Sequence, residues 1–141
     1  MKRQEEAIQT ALPALARQAT ILLVDDEEMI REAATAVLES LGLIVIPACD
    51  GREAVAAVQR PDQKLDLVLM DLTMPHMDGK EAFQIIRRLQ PNLPVILSSG
   101  YNEQESVQSF SGRGLDAFLQ KPYTLRALER TVLEVLARSR A

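Results

Sequence analysis

The stretch Leu67–Val68–Leu69–Met70–Asp71 constrains the fold of this chain more than any other. Four apolar residues without alternation read as a short strand buried on both faces. An ionisable carboxylate then stands where that strand emerges. Pro75 has no N–H to give a ladder and Gly79 favours a turn, so a loop follows. A carboxylate at the carboxyl end of a central strand is where open α/β sheets place their chemistry.

The surrounding sequence supplies the rest of such a sheet. Ile21–Leu22–Leu23–Val24 is a second continuous apolar run, and it ends in Asp25 and Asp26. A helical stripe of Ile30, Ala34, Val37, Leu38 and Leu41 follows, opened by Glu27 and Glu28, whose charge suits a helix N-terminus, and closed by Gly42. The next strand is Leu43–Ile46, stopped by Pro47. Asp50 with Glu53, and later Asp78 with Glu81, are spaced as capping boxes, and Pro61 and Pro91 end the two helices they open. The second of these helices carries the stripe Ala82, Phe83, Ile86 and Leu89. Pro94–Leu97 is a fourth strand running into Ser98–Ser99–Gly100. Segment Asn102–Gly114 is polar, with Val107 and Phe110 as its anchors, and reads as a loosely held helix. Ala117–Leu119 is a fifth strand leading to Lys121–Pro122–Tyr123, and Thr124 caps a last helix with the stripe Leu125, Leu128, Val132 and Val135. Strands alternating with helices give a parallel sheet with right-handed crossovers and helices on both faces.

The 141 residues suit one domain with a sizeable core, preceded at 1–19 by a helix-prone lead-in that Pro13 interrupts. A net charge of −4 excludes a general pull toward nucleic acid or anionic membrane. The lone Cys49 excludes an internal disulfide, suits a reducing cytosol and is read as a small core residue. His76 stands in a loop without a second His or Cys and is read as a solvated side chain.

At the strand ends stand Asp25, Asp26, Asp71, Ser99 and Lys121, and in a doubly wound sheet all of them open on one edge. Crowded carboxylates repel unless a cation sits among them. Hard oxygen donors without His or Cys favour Mg²⁺, which accepts phosphate oxygens as further ligands. A hydroxyl and a lysine beside such a metal suit a phosphoryl group, and one carboxylate remains as nucleophile. Taken singly, Asp25 and Asp26 would be helix caps, Ser99 a turn serine and Lys121 a surface lysine. It is their joint placement that favours a site.

In five stretches the chain resembles the receiver domain of two-component response regulators, over Thr20 to about Arg138. They are Ile21-Leu-Leu-Val-Asp-Asp26, Asp66-Leu-Val-Leu-Met-Asp71, Met74-Pro-His-Met-Asp-Gly79, Pro94-Val-Ile-Leu-Ser-Ser-Gly100 and Lys121-Pro122. The resemblance implies a flavodoxin-like, doubly wound, five-stranded parallel sheet in the order 2-1-3-4-5, with residues 20–141 as the receiver and 1–19 as a linker or extension. It implies that Asp71 takes a phosphoryl group from a phosphohistidine on a sensor histidine kinase or histidine phosphotransfer protein. Asp26, Asp71 and the backbone carbonyl of Thr73 would bind Mg²⁺ directly, with Asp25 acting partly through water. Ser99 would be the switch hydroxyl, Lys121 its cationic partner, and Phe118 the aromatic switch residue, where the family often has Tyr.

Such a domain catalyses its own phosphorylation and dephosphorylation but is mainly a cytoplasmic signalling switch. It would make no direct contact with nucleic acid or membrane. It would be a monomer, or a weak dimer through the face of the fourth helix (102–114), fifth strand and fifth helix. Lys121–Pro122 is expected to be cis, to turn the lysine back toward Asp71. Ser98–Ser99–Gly100–Tyr101 resembles receivers attached to hybrid sensor kinases, with a freestanding regulator as the alternative. Three rival functions stand beside this one. A flavin- or nucleotide-binding protein on the same fold would want a Gly-rich or hydroxyl-rich first loop, and Asp25–Asp26–Glu27–Glu28 would repel phosphate without metal. A Mg²⁺-dependent aspartyl-phosphate hydrolase commonly needs a second acid where this chain has Thr73, and a phosphorylation-independent interaction module would normally have lost Asp71, Lys121 or the acidic pair.

Overall fold

The computed structural model describes residues 19–72, 74, 77–100 and 115–140. The lead-in before Ala19, Thr73, His76 and the helix expected over Asn102–Gly114 lie outside the described residues. The elements run β1 (Thr20–Val24), α1 (Glu28–Ser40), β2 (Ile44–Ala48), α2 (Gly51–Gln59), β3 (Leu67–Asp71), α3 (Gly79–Leu89), β4 (Val95–Ser99), β5 (Ala117–Gln120) and α4 (Leu125–Arg140). All neighbouring strands pair in parallel, in the order β2-β1-β3-β4-β5. That is the doubly wound sheet the strand runs imply.

Alternate residues of the central strands feed two cores, as the period-2 strand requires. Ile21, Leu23, Leu67, Leu69 and Ile96 pack with Ala34 and Leu38 of α1 and Leu128, Val132 and Leu136 of α4. Leu22, Val24, Val68, Met70, Val95 and Leu97 pack on the other face with Ala54 and Val58 of α2 and Ala82, Phe83 and Ile86 of α3. Burial on both faces explains why β1, β3 and β4 are apolar runs rather than alternating ones.

The ends of the elements follow their sequence signals closely. Asp50 and Asp78 each accept a hydrogen bond from the backbone N–H three residues on, that of Glu53 and Glu81, at 2.9 Å. The hydroxyl of Thr124 accepts from Ala127 N–H at 3.0 Å. Gly42 takes φ 89° after α1, the left-handed conformation that glycine adopts most cheaply.

Three expectations need correction. Pro47 does not stop β2; it pairs with Leu23 inside the strand. β2 is an edge strand, so a residue without N–H need break no ladder on its open side. Leu89 is not part of the buried stripe and is 43% exposed. With Phe83 and Ile86 buried, the helical period carries the next inward position to Gln90, whose amide donates to the Val58 carbonyl. Leu125, in the first turn of α4, is 48% exposed, while Leu133 and Leu136 join the buried stripe.

Candidate functional site at the carboxyl edge of the sheet

Parallel strands all deliver their carboxyl ends to one edge, and there the sequence-singled residues meet. Asp71 ends β3 and is 5% exposed. Asp25 follows β1 and is 2% exposed. Ser99 ends β4 and is buried, and Lys121 follows β5. The Lys121 Nζ lies 2.8 Å from Asp25 Oδ2 and 3.2 Å from Asp71 Oδ2, bridging two buried carboxylates. Its backbone N–H donates to the Ser99 carbonyl at 2.8 Å, which ties the β5 end to the β4 end. Lys121–Pro122 is cis, as expected. Burial pulls the Lys121 ammonium down, but the Asp25 hydrogen bond and the charges of Asp71 and Asp25 outweigh it, so its pKa is raised.

The acidic residues divide by environment. Both oxygens of Asp25 are engaged: Oδ1 accepts from Glu27 N–H at 2.9 Å and Oδ2 from Lys121. Asp26 is exposed. One carboxylate oxygen from each of Asp25, Asp26 and Asp71 lies within 4.8 Å of the others. Three hard oxygen donors converging at that spacing fit a small divalent cation with room for water and a further oxygen ligand. The Thr73 carbonyl and any part it plays lie outside the described residues. Phe118 is half-buried on β5 beside Leu97 and packs into the core on the α2–α3 face.

Above these groups opens a cleft of about 590 Å³ lined by Asp26, Glu27, Ile30, Asp71, Gly100, Lys121, Pro122 and Tyr123. Tyr123 had no role in the sequence reading beyond following Lys121–Pro122. Its phenol is pushed up by burial and by the Asp25 charge, so it stays a neutral hydroxyl beside the acids. Arg31 was also missed. Its Nη1 donates to the Asp25 carbonyl at 2.7 Å, bracing the acidic turn from one helical turn into α1.

Gly79 is tighter than a turn glycine. Its N–H donates to the Leu72 carbonyl at 2.7 Å, and a Cβ there would meet the Asp71 carbonyl at 2.6 Å and Leu72 Cα at 2.7 Å. Cys49 is half-exposed rather than a core residue, because its Sγ–H donates to Glu53 Oε2 at 2.8 Å.

With the geometry established, similarity to known proteins decides the family. A sequence model of the response regulator receiver domain matches residues 21–133. The chain belongs to that family. This receiver domain is 34% identical over 122 residues to the sensor kinase CckA of Brucella abortus, covering 86% of this chain and 13% of that protein. It is 32% identical over 123 residues to the transcriptional regulatory protein GlrR of Escherichia coli, covering 87% of this chain and 27% of that protein. The chain thus spans only a small part of the curated relatives it matches.

Among solved structures, a CheY-like receiver domain protein from Methanospirillum hungatei superposes with a TM-score of 0.81 at 28% identity, covering 87% of this chain and 97% of that one. CheY4 of Vibrio cholerae does so with 0.76 at 30% identity, covering 84% and 98%. Among the described residues, no helix is long and apolar enough to cross a membrane.

Proposed function

We propose that this receiver domain accepts a phosphoryl group on Asp71 in a two-component phosphorelay. The observation that carries this reading is the Lys121 ammonium held between the buried carboxylates of Asp25 and Asp71, with an oxygen of Asp26 close by. The donor would be a phosphohistidine of a sensor histidine kinase or a histidine phosphotransfer protein, and the setting cytoplasmic.

Phosphoryl transfer is mostly positioning and charge neutralisation, with attacking and leaving oxygens or nitrogens roughly in line. A carboxylate oxygen of Asp71 attacks phosphorus and forms the new P–O bond. The P–N bond of the donor breaks, and its electron pair returns to the imidazole nitrogen. The product is an acyl phosphate, which water later hydrolyses. Asp26 and Asp71 would hold Mg²⁺ directly and Asp25 partly through water, and the bound ion would neutralise charge on the phosphoryl oxygens. Lys121 is already aimed at Asp71, so it can hold a phosphoryl oxygen with little reorganisation. Asp25 keeps that ammonium charged and in place. Ser99 and Phe118 then report the modification: Ser99 supplies a hydroxyl at the β4 end and the Phe118 ring repacks, with the two arrangements a few kcal/mol apart.

Mg²⁺ with beryllofluoride, a phosphoryl mimic, tests this reading. Amide chemical shifts should change at Asp71 and spread to Ser99 and Phe118. Shift changes confined to regions away from Asp71 would overturn it.

A further inference from the structure

Met77, six residues after Asp71, is packed from a direction the site itself does not reveal. Gly51, the first residue of α2, is buried, and a Cβ built there would meet the Met77 carbonyl at 2.5 Å and Met77 Cβ and Cγ at 2.9 Å. Two of the three atoms are Met77 backbone and Cβ, so no side-chain rotation relieves the overlap. Two residues after Met77, Gly79 is pressed just as closely on the Asp71 carbonyl and Leu72. Close contacts therefore join α2 to Met77 and, two residues along the chain, Gly79 to the backbone of the acidic residue. α2 is itself fixed at this end, since Asp50 accepts from Glu53 N–H while Glu53 Oε1 accepts from Cys49 N–H at 3.0 Å.

We propose that Gly51 is a positioning residue for chemistry at Asp71: by letting the first turn of α2 lie against Met77, it sets where Met77, and the Gly79 backbone behind Asp71, come to lie. The atoms nearest a Cβ at position 51 all belong to Met77, and none to the carboxylates. It acts through Met77. Catalytic geometry is unforgiving of such displacements, and misplacement by about 1 Å costs on the order of a hundredfold in rate. A methyl group at position 51 must push Met77 by several tenths of an ångström at least, because real Cβ atoms do not approach a carbonyl as closely as 2.5 Å. The proposal rests on the phosphoacceptor reading of Asp71.

The test compares Gly51→Ala with Ala56→Gly, which weakens the same helix from its exposed face. Each protein is measured for its urea midpoint in chelator, for Mg²⁺ affinity by amide shift titration, and for its phosphorylation rate with acetyl phosphate at saturating Mg²⁺. Gly51→Ala should lose roughly tenfold or more in rate, with weaker Mg²⁺ binding. Ala56→Gly should keep both parental values even where its midpoint falls as far. Met77→Gly is the second variant: it strips the Cβ and Cγ that meet position 51, leaving only the carbonyl, and should slow phosphorylation in the same direction. Parental affinity and rate in Gly51→Ala, or an equal functional loss in Ala56→Gly, would overturn the positioning role alone. A parent that neither binds Mg²⁺ nor takes a phosphoryl group would overturn it together with the phosphoacceptor reading.

Discussion

Replacing Lys121 by methionine keeps the length of the side chain and removes its charge, and the structure sets the size of the effect. The side chains of Asp25 and Asp71 are only 3% and 7% exposed, so this is a buried pair of contacts. At an effective dielectric of about 20, contacts of 2.8 and 3.2 Å are each worth roughly 5–6 kcal/mol before desolvation. Returning the ammonium to water and freeing its side chain offset much of that, and removing one partner of a buried pair typically costs about 3–5 kcal/mol. Lys121→Met should therefore destabilise the metal-free protein by about 3 kcal/mol, because two carboxylates are left buried together. The more negative site should bind Mg²⁺ more tightly, so excess Mg²⁺ should recover about 1 kcal/mol or more of the loss. Urea melts of parent and variant, in chelator and in excess Mg²⁺, give the four values. A variant within about 0.5 kcal/mol of the parent in chelator, or a gap that Mg²⁺ leaves unchanged, would refute the reasoning.

Asp26 is exposed and lies beside the two acids, so Asp26→Asn removes repulsion without breaking the Lys121 pair. It should raise the metal-free stability by about 0.5–1 kcal/mol while weakening the stabilisation Mg²⁺ confers, as read by the same urea melts. Cys49 has its pKa raised first by its hydrogen bond to Glu53 and then by burial, which favours the thiol over the reactive thiolate. Glu53→Gln should therefore speed Cys49 alkylation at mildly alkaline pH, and an unchanged or slower rate would refute the assignment.

The sheet was legible because β1, β3 and β4 are buried on both faces, and their unbroken apolar runs are visible without tertiary information. Capping was legible for a similar reason, since Asp50, Asp78 and Thr124 act within three residues of themselves. The misreadings have a different physical source. Pro47 is tolerated by an edge position that its own sequence does not announce, and Leu89 loses its place to Gln90 by one step of the helical period. In the site, the ionisable residues stood out by type and by position at strand ends. The supporting groups did not. Arg31 reaches back six residues to the Asp25 carbonyl, Gly51 meets Met77 across a long sequence separation, and neither residue type signals its contact. Tyr123 was within reach of sequence reasoning, because it follows Lys121–Pro122 directly and the chain there must pass the cleft.

The central claim is that Asp71 takes the phosphoryl group, and borohydride trapping measures it most directly. Incubation with acetyl phosphate and Mg²⁺, followed by borohydride, reduces an aspartyl phosphate to homoserine, which peptide mass spectrometry locates. Homoserine should be found at position 71, should require Mg²⁺, and should vanish in Asp71→Asn. Conversion at Asp25 or Asp26 in place of Asp71, or no conversion in a folded protein that binds Mg²⁺, would contradict the account.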